Sequence, residues 1–222
     1  MLTDPIAASI SDAIMNRRLL PGTKLNEREL GGIFGVSRTI VRQALGRLAQ
    51  DGLVSISPKR ATTVARPSFE DAFSLYQTLL IIDYGVVDYL IQHITPEQLD
   101  ILQAHTRLEE ETYQKGGRNE SDELGRDYHQ VMIGFLNNDT LSKLHASLQR
   151  KAGLITSLYK VDFDYCQLRH EHIDMIDALR KKDADRIKAM LKSHYKLVIR
   201  GYRFDVEAMP AVDLAQALQL DR

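Results

Sequence analysis

Three histidines fall on the apolar stripes of three different helical segments. His129 is followed by Met132, Ile133 and Leu136; His172 lies with Leu168, Met175, Ile176 and Leu179; His194 lies with Ile187, Met190, Leu191, Leu197 and Val198. Side chains at i+3, i+4 and i+7 share one helical face, so three imidazoles point inward. A buried neutral imidazole is costly without a partner, and several converging ones suit a divalent metal. The same spacing also describes core histidines satisfied by hydrogen bonds, as His105 among Ile101, Leu102 and Leu108 illustrates. Spacing alone favours that second outcome.

A different chemistry is offered near the start of the chain. Residues 1–66 carry 10 Lys/Arg against 5 acids, while the remainder carries 19 against 25, although the net charge is only −1. A basic segment joined to an acidic one suggests a polyanion-binding module. Within it, Arg38, Thr39 and Arg42 lie opposite the apolar stripe Val41, Ala44, Leu45 and Leu48 of one short helix. Three such side chains can reach base edges and phosphates from a major groove, and the helix N-terminus at Ser37 favours a phosphate. Arg28 before it, and Lys59 and Arg60 after it, are placed to grip the backbone on either side. Nothing suggests nucleophilic catalysis: Cys166 has no neighbouring base in the sequence, and no GxSxG or phosphate-cradling glycine loop occurs.

The elements that must position these residues read as follows. Ile6, Ile10, Ala13 and Ile14 mark a helix ending near Arg18, and Pro21-Gly22 turns the chain. Asn26 and Glu29 form a capping-box signature for a short helix with Leu30, Ile33 and Phe34 inward. Gly35-Val36 is the next turn and Ser37 caps the third helix. Leu53 to Ile56 and Thr62 to Ala65 alternate like strands around the basic turn Ser57-Pro58-Lys59-Arg60. That order is a winged helix-turn-helix. Ala65-Arg66-Pro67-Ser68 is the joint, dividing a 1–66 module from a 67–222 domain. Beyond it only helical periodicity occurs: a helix through Leu75, Leu79, Ile82 and Val86, one opened by Thr95-Pro96-Glu97-Gln98, then segments near 121–136, 141–159, 165–181 and 184–203, with a tail helix at 212–218. The fold class is mainly α: three helices and a small β-hairpin, then an all-α bundle of six or seven helices.

The stretch LLPGTKLNERELGGIFGVSRTIVRQALGRLAQDGLV resembles the DNA-binding module of GntR-type bacterial transcription regulators. The resemblance implies that Arg28, Arg38, Thr39 and Arg42 contact operator DNA and that the wing tip enters the minor groove. Ala61 stands where the family usually has glycine. DYHQVMIGFLNNDTL and HEHIDMIDALRKKDADRIKAMLKSHYKLV resemble the helical FCD-type effector domain of the family's FadR branch. That resemblance implies a divalent metal (Zn, Ni or Mn) on an Asp and three His, with a small organic acid effector beside it. His129, His172 and His194 match the three His positions. Gly125 stands where the Asp belongs, Asp127 points across the helix, and Leu79 replaces a usual Arg.

The expectation is a ligand-responsive transcription regulator, a repressor by family habit, which binds a short palindromic double-stranded operator as a homodimer. The alternatives are a metal-dependent enzyme using the three His, or an effector-free DNA-binding protein. With 222 residues, 44% hydrophobic, one Cys, no apolar run near the ~20 residues of a bilayer span and no signal peptide, a cytoplasmic protein without membrane contact is expected.

Overall fold

The computed structural model describes all residues except 1–2, 58–60, 162–164, 205–212 and 219–222, and all described side chains except those of 118, 119 and 165–170. Ten helices and one two-stranded sheet form among them: α1 (Thr3–Met15), α2 (Glu27–Phe34), α3 (Arg38–Gln50), β1 (Val54–Ser55), β2 (Thr63–Val64), α4 (Phe69–His93), α5 (Pro96–Gln114), α6 (Arg118–Gly134), α7 (Asp139–Tyr159), α8 (Tyr165–Arg180), α9 (Ala184–Arg200) and α10 (Leu214–Ala217). They divide into two compact units. One comprises Met1–Phe69, Arg150–Lys160 and Arg203–Arg222; the other comprises Glu70–Gln149 and Val161–Tyr202.

In the first unit, local signals set the helix ends. The Asn26 side chain accepts from the Arg28 and Glu29 N–H groups, and Gly35 closes α2 at φ 65°, a left-handed conformation that glycine adopts without Cβ strain. Ser37 caps α3 by accepting from the Ile40 N–H. Val41, Ala44, Leu45 and Leu48 are buried together with Ile6, Ile10, Ala13 and Ile14 of α1, as their periodicity predicts. Ile33 and Phe34 are only half-buried. The strands shrink to two residues each, antiparallel, with Val54 opposite Val64. Residues 22–25 add backbone bonds on the other side of β2: the Leu25 N–H donates to Thr62 O and the Val64 N–H to Thr23 O. The wing-tip cations Lys59 and Arg60 lie outside the described residues.

This unit is larger than its opening segment. Arg150 donates to Asp51, the residue capping α3. Arg17 donates to the carbonyls of Ser157 and Lys160 at the end of α7, where cations satisfy unpaired C=O groups. Arg18 donates to Ala217 O of α10, whose Leu214 and Ala217 are buried. Asp213 caps α10, shorter than the tail helix expected; Val212 lies outside the described residues. Three cations counted toward a basic face therefore work elsewhere: Arg17 and Arg18 here, and Arg47, which pairs with Asp4.

The second unit is helical throughout. Its core joins Val86, Val87 and Leu90 of α4, Leu102 of α5, Tyr128, Met132 and Ile133 of α6, Met175, Ile176 and Leu179 of α8, and Ile187 and Leu191 of α9. Thr95 and Gln98 form a reciprocal capping box at α5, and Asp183 caps α9 through the Arg186 N–H. α6 begins at Arg118, ahead of the expected start, and α9 stops at Arg200 before Gly201.

Candidate metal centre and nucleic-acid interface

His129 on α6, His172 on α8 and His194 on α9 are buried and meet: one nitrogen from each lies within 4.8 Å of the others. Each Nδ1 faces a carboxylate. His129 Nδ1 is 2.9 Å from Asp83 Oδ2, His172 Nδ1 is 3.1 Å from Glu109 Oε2, and His194 Nδ1 is 3.0 Å from Glu171 Oε2. An ionised carboxylate accepts only, so facing one each Nδ1 carries the proton and each Nε2 keeps its lone pair; for His194 this holds when Glu171 is ionised. The Nε2 atoms of His129 and His172 are fully buried without a hydrogen-bond partner. Buried polar atoms rarely remain unpaired, which makes these two lone pairs the informative feature of the centre.

The surrounding electrostatics have the same sense. Asp83 and Glu109 are completely buried, and no Lys or Arg is buried among the described residues. Burial holds the His172 imidazole below its ordinary pKa against the pull of Glu109, and holds His194 well below it with help from His172 and His129. His172 and His194 are thereby held as neutral rings, and the buried acids Asp83 and Glu109 have no buried Lys or Arg beside them among the described residues. Burial pushes Glu171 up to about 7, with Asp174 adding to it. The rings are fixed by stacking: Tyr128 lies 4.3 Å from His172 at 15°, and Tyr195 lies 5.5 Å from His129 at 24°.

Asp83 is the busiest of the carboxylates. Its Oδ2 also accepts the Tyr195 hydroxyl at 2.6 Å, while its Oδ1 has no partner and sits 3.9 Å from His145 Nε2. His145 on α7 donates from Nδ1 to Gln130 Oε1 at 2.7 Å, and Gln149 donates to its Nε2 at 3.3 Å. Burial lowers the His145 pKa from 6.5 to about 4, outweighing the attraction of Asp83. The unfolded chain therefore takes up this proton near pH 6.5 and the folded chain only near 4. Stability from this group is complete above pH 6.5 and falls by about 3 kcal/mol as pH drops to 4. Urea unfolding at pH 7, 6 and 5 is expected to show a declining midpoint. His145→Asn, which keeps a donor toward Gln130, is expected to flatten that decline in part; an equal slope in the variant would contradict the assignment.

Gly125 is buried and brings no donor, Asp127 is exposed, and Leu79 is fully buried. His105 has a separate partner, Leu124 O at 2.8 Å. The sequence reading did not identify Asp83, Glu109, Glu171, Tyr195 or His145.

In the first unit Arg28, Ser37, Arg38, Thr39 and Arg42 are all exposed. Ser37 is engaged as the α3 cap. Arg42 makes a bidentate pair with Glu27: Nε donates to Oε1 at 2.8 Å and Nη2 to Oε2 at 2.7 Å. That bond holds the Glu27 carboxyl below the usual carboxylate range, and the charge of Arg38 adds to it. Three arginines are thus exposed on α2 and α3, and two acids, Glu27 and Glu29, lie in the first turn of α2.

Residues 2–64 match the family described as bacterial regulatory proteins of the gntR family, and residues 74–197 match the FCD domain. The chain is 26% identical over 198 residues to the HTH-type transcriptional repressor RspR of Escherichia coli K12, covering 86% of this chain and 84% of RspR. It is 26% identical over 222 residues to the repressor NanR of Escherichia coli K12 / DH10B, covering 89% and 82%. A transcriptional regulator GntR from Rhodococcus sp. RHA1 shares the fold, with a TM-score of 0.73, 22% identity, and 90% and 99% of the two chains covered.

Proposed function

We propose, for a chain that belongs to the GntR family of bacterial regulatory proteins and carries its FCD domain, a regulator whose residues 1–66 read a palindromic operator while residues 67–222 sense a small ligand. Proteins of this family are transcription regulators, which speaks against the metal-enzyme alternative. The single observation that carries the DNA reading is the exposed arginine cluster on α2 and α3, held in place by two side-chain caps. One recognition helix buries too little surface for tight binding, so a homodimer reading two half-sites about one turn apart is the natural assembly. Its role is that of a repressor, the role named for RspR and NanR. No helix among the described residues is long and apolar enough to cross a membrane.

The sensing centre is a divalent cation held by the Nε2 atoms of His129, His172 and His194. Two observations support this fit: lone pairs buried without partners, and buried carboxylates without a buried cation. A carboxylate on the far nitrogen of each ring is the usual support of a metal-bound imidazole. Three His ligands suit Zn, Ni or Mn and leave coordination positions to a small organic acid. A bound cation supplies those positions; Asp83, Glu109 and Glu171 set the tautomer and aim of each ring. With Leu79 in place of a cationic residue, the metal is the main anchor for the acid. For such a ligand to switch the protein, it must bind the DNA-bound and free states with different affinity.

The test is selection of duplexes from a random-sequence library by the purified chain. A two-fold symmetric consensus supports the reading; recovery of unrelated sequences contradicts it.

A further inference from the structure

Arg42 is 69% exposed, yet its guanidinium is fixed by Glu27, the first residue of α2. Glu27 occupies one edge of the fork, the Nε–H and one Nη2–H. The other edge, made of Nη1 and the second Nη2 hydrogen, is left as a parallel pair of donors. That pair has the geometry to meet the O6 and N7 acceptors of guanine in the major groove. A free arginine at such exposure is a mobile positive charge, which a phosphate satisfies from many directions. An arginine clamped on its side edge is partly neutralised and points one way. The clamp therefore disfavours a phosphate and favours a base edge.

Resting on the reading of α3 as the recognition helix, we infer that Glu27 is the positioning residue that makes Arg42 a guanine reader. Glu27 itself makes no contact with the base. The bond joins two helices across the turn through Gly35: Glu27 opens α2, and Arg42 lies one turn into α3. The hydrogen bonds from Arg42, with a smaller contribution from the charge of Arg38, hold the Glu27 carboxyl below the usual carboxylate range, so the clamp persists throughout the neutral pH range. Arg28 and Arg38 are exposed on the same two helices and are available to the DNA backbone or to other bases.

The test uses the full chain and the duplex that it selects from a random library, with an unrelated duplex of equal length as competitor. Affinities are read by fluorescence anisotropy for the parent chain, Glu27→Gln, Arg42→Ala and the double variant. Glu27→Gln is expected to lower the ratio of operator to unrelated-duplex affinity about tenfold, within the range one bidentate base contact supplies. Affinity for the unrelated duplex is expected to hold or rise, because an acid has left a basic face. In the Arg42→Ala background, Glu27→Gln is expected to change the ratio less than twofold, the signature of a coupled pair. Melting curves identify any variant that has lost its fold, and Glu27→Asp, which keeps the charge but shortens the reach, then replaces Glu27→Gln. A loss of the ratio in Arg42→Ala with none in the Glu27 variants overturns this inference alone. An unchanged ratio in Arg42→Ala overturns the recognition-helix reading as well.

Discussion

Alanine at Arg38 or at Arg42 is expected to weaken binding to the selected operator by about 30-fold or more while the chain stays folded. Both side chains are exposed on α3, and neither contributes to the buried stripe of Val41, Ala44, Leu45 and Leu48. Each good base contact is worth about 1–3 kcal/mol, and a two-fold assembly loses it in both half-sites. The combined loss is therefore about 2–6 kcal/mol, or roughly 30- to 10⁴-fold at 1.4 kcal/mol per decade. Arg42→Ala should mostly relax sequence preference. A change at a phosphate contact instead weakens all duplexes alike and reduces the salt dependence. Lys192→Ala, exposed on α9 in the other unit, serves as the control and should change operator affinity little. Gel shifts at 150 mM salt with equal midpoints for parent, Arg38→Ala and Arg42→Ala would contradict the assignment of this face.

The second large effect is expected at the histidine centre. Supplied with Zn²⁺, Ni²⁺ or Mn²⁺ and dialysed, the chain should retain about one ion, and each of His129→Ala, His172→Ala and His194→Ala should lose it. Removing a supporting charge is milder: Glu109→Gln should lower affinity about 10- to 100-fold, because a neutral amide oxygen supports the metal-bound ring of His172 more weakly than a carboxylate does. An ion bound only by the folded state stabilises it by about 2.7 kcal/mol at 100 times its dissociation constant, so the melting temperature should rise on loading. Binding needs neutral imidazoles. Burial already lowers the pKa of His172 and His194, which should let the site retain its ion below the pH at which free imidazole protonates. Retention of metal in all three alanine variants, or none bound by the parent chain, would contradict a three-His site; elemental analysis decides it.

Much of this was legible from the sequence because periodicity encodes which face is buried. His129, His172 and His194 fell on apolar stripes and are found converging; Arg38, Thr39 and Arg42 fell opposite one and are found exposed. Two of the supporting acids also left a local trace. Asp83 follows Leu79 by four residues and precedes Val86 by three, and Glu109 follows Leu102 and Thr106 at the same helical spacing. A carboxylate on a buried stripe needs a partner, so both positions carried a signal. Which imidazole each would meet was not local: Asp83 and His129 are 46 residues apart, Glu109 and His172 are 63. The Glu27 clamp on Arg42 spans 15 residues and depends on the angle at which α2 and α3 meet. The charge count pointed to the right segment but not to which cations are free for a ligand. Arg17, Arg18 and Arg47 are engaged with α7, α10 and Asp4, contacts that no local pattern announces.

The central claim, sequence-specific DNA recognition by α3, is tested most directly by competition. The chain is titrated onto its library-selected duplex at 150 mM salt against an unrelated duplex of the same length. A regulator of this kind should prefer its operator by at least about 10³-fold, with two chains bound per symmetric site. Equal affinity for both duplexes, falling together as salt rises, would mean that the arginine face binds phosphate alone and would contradict the claim.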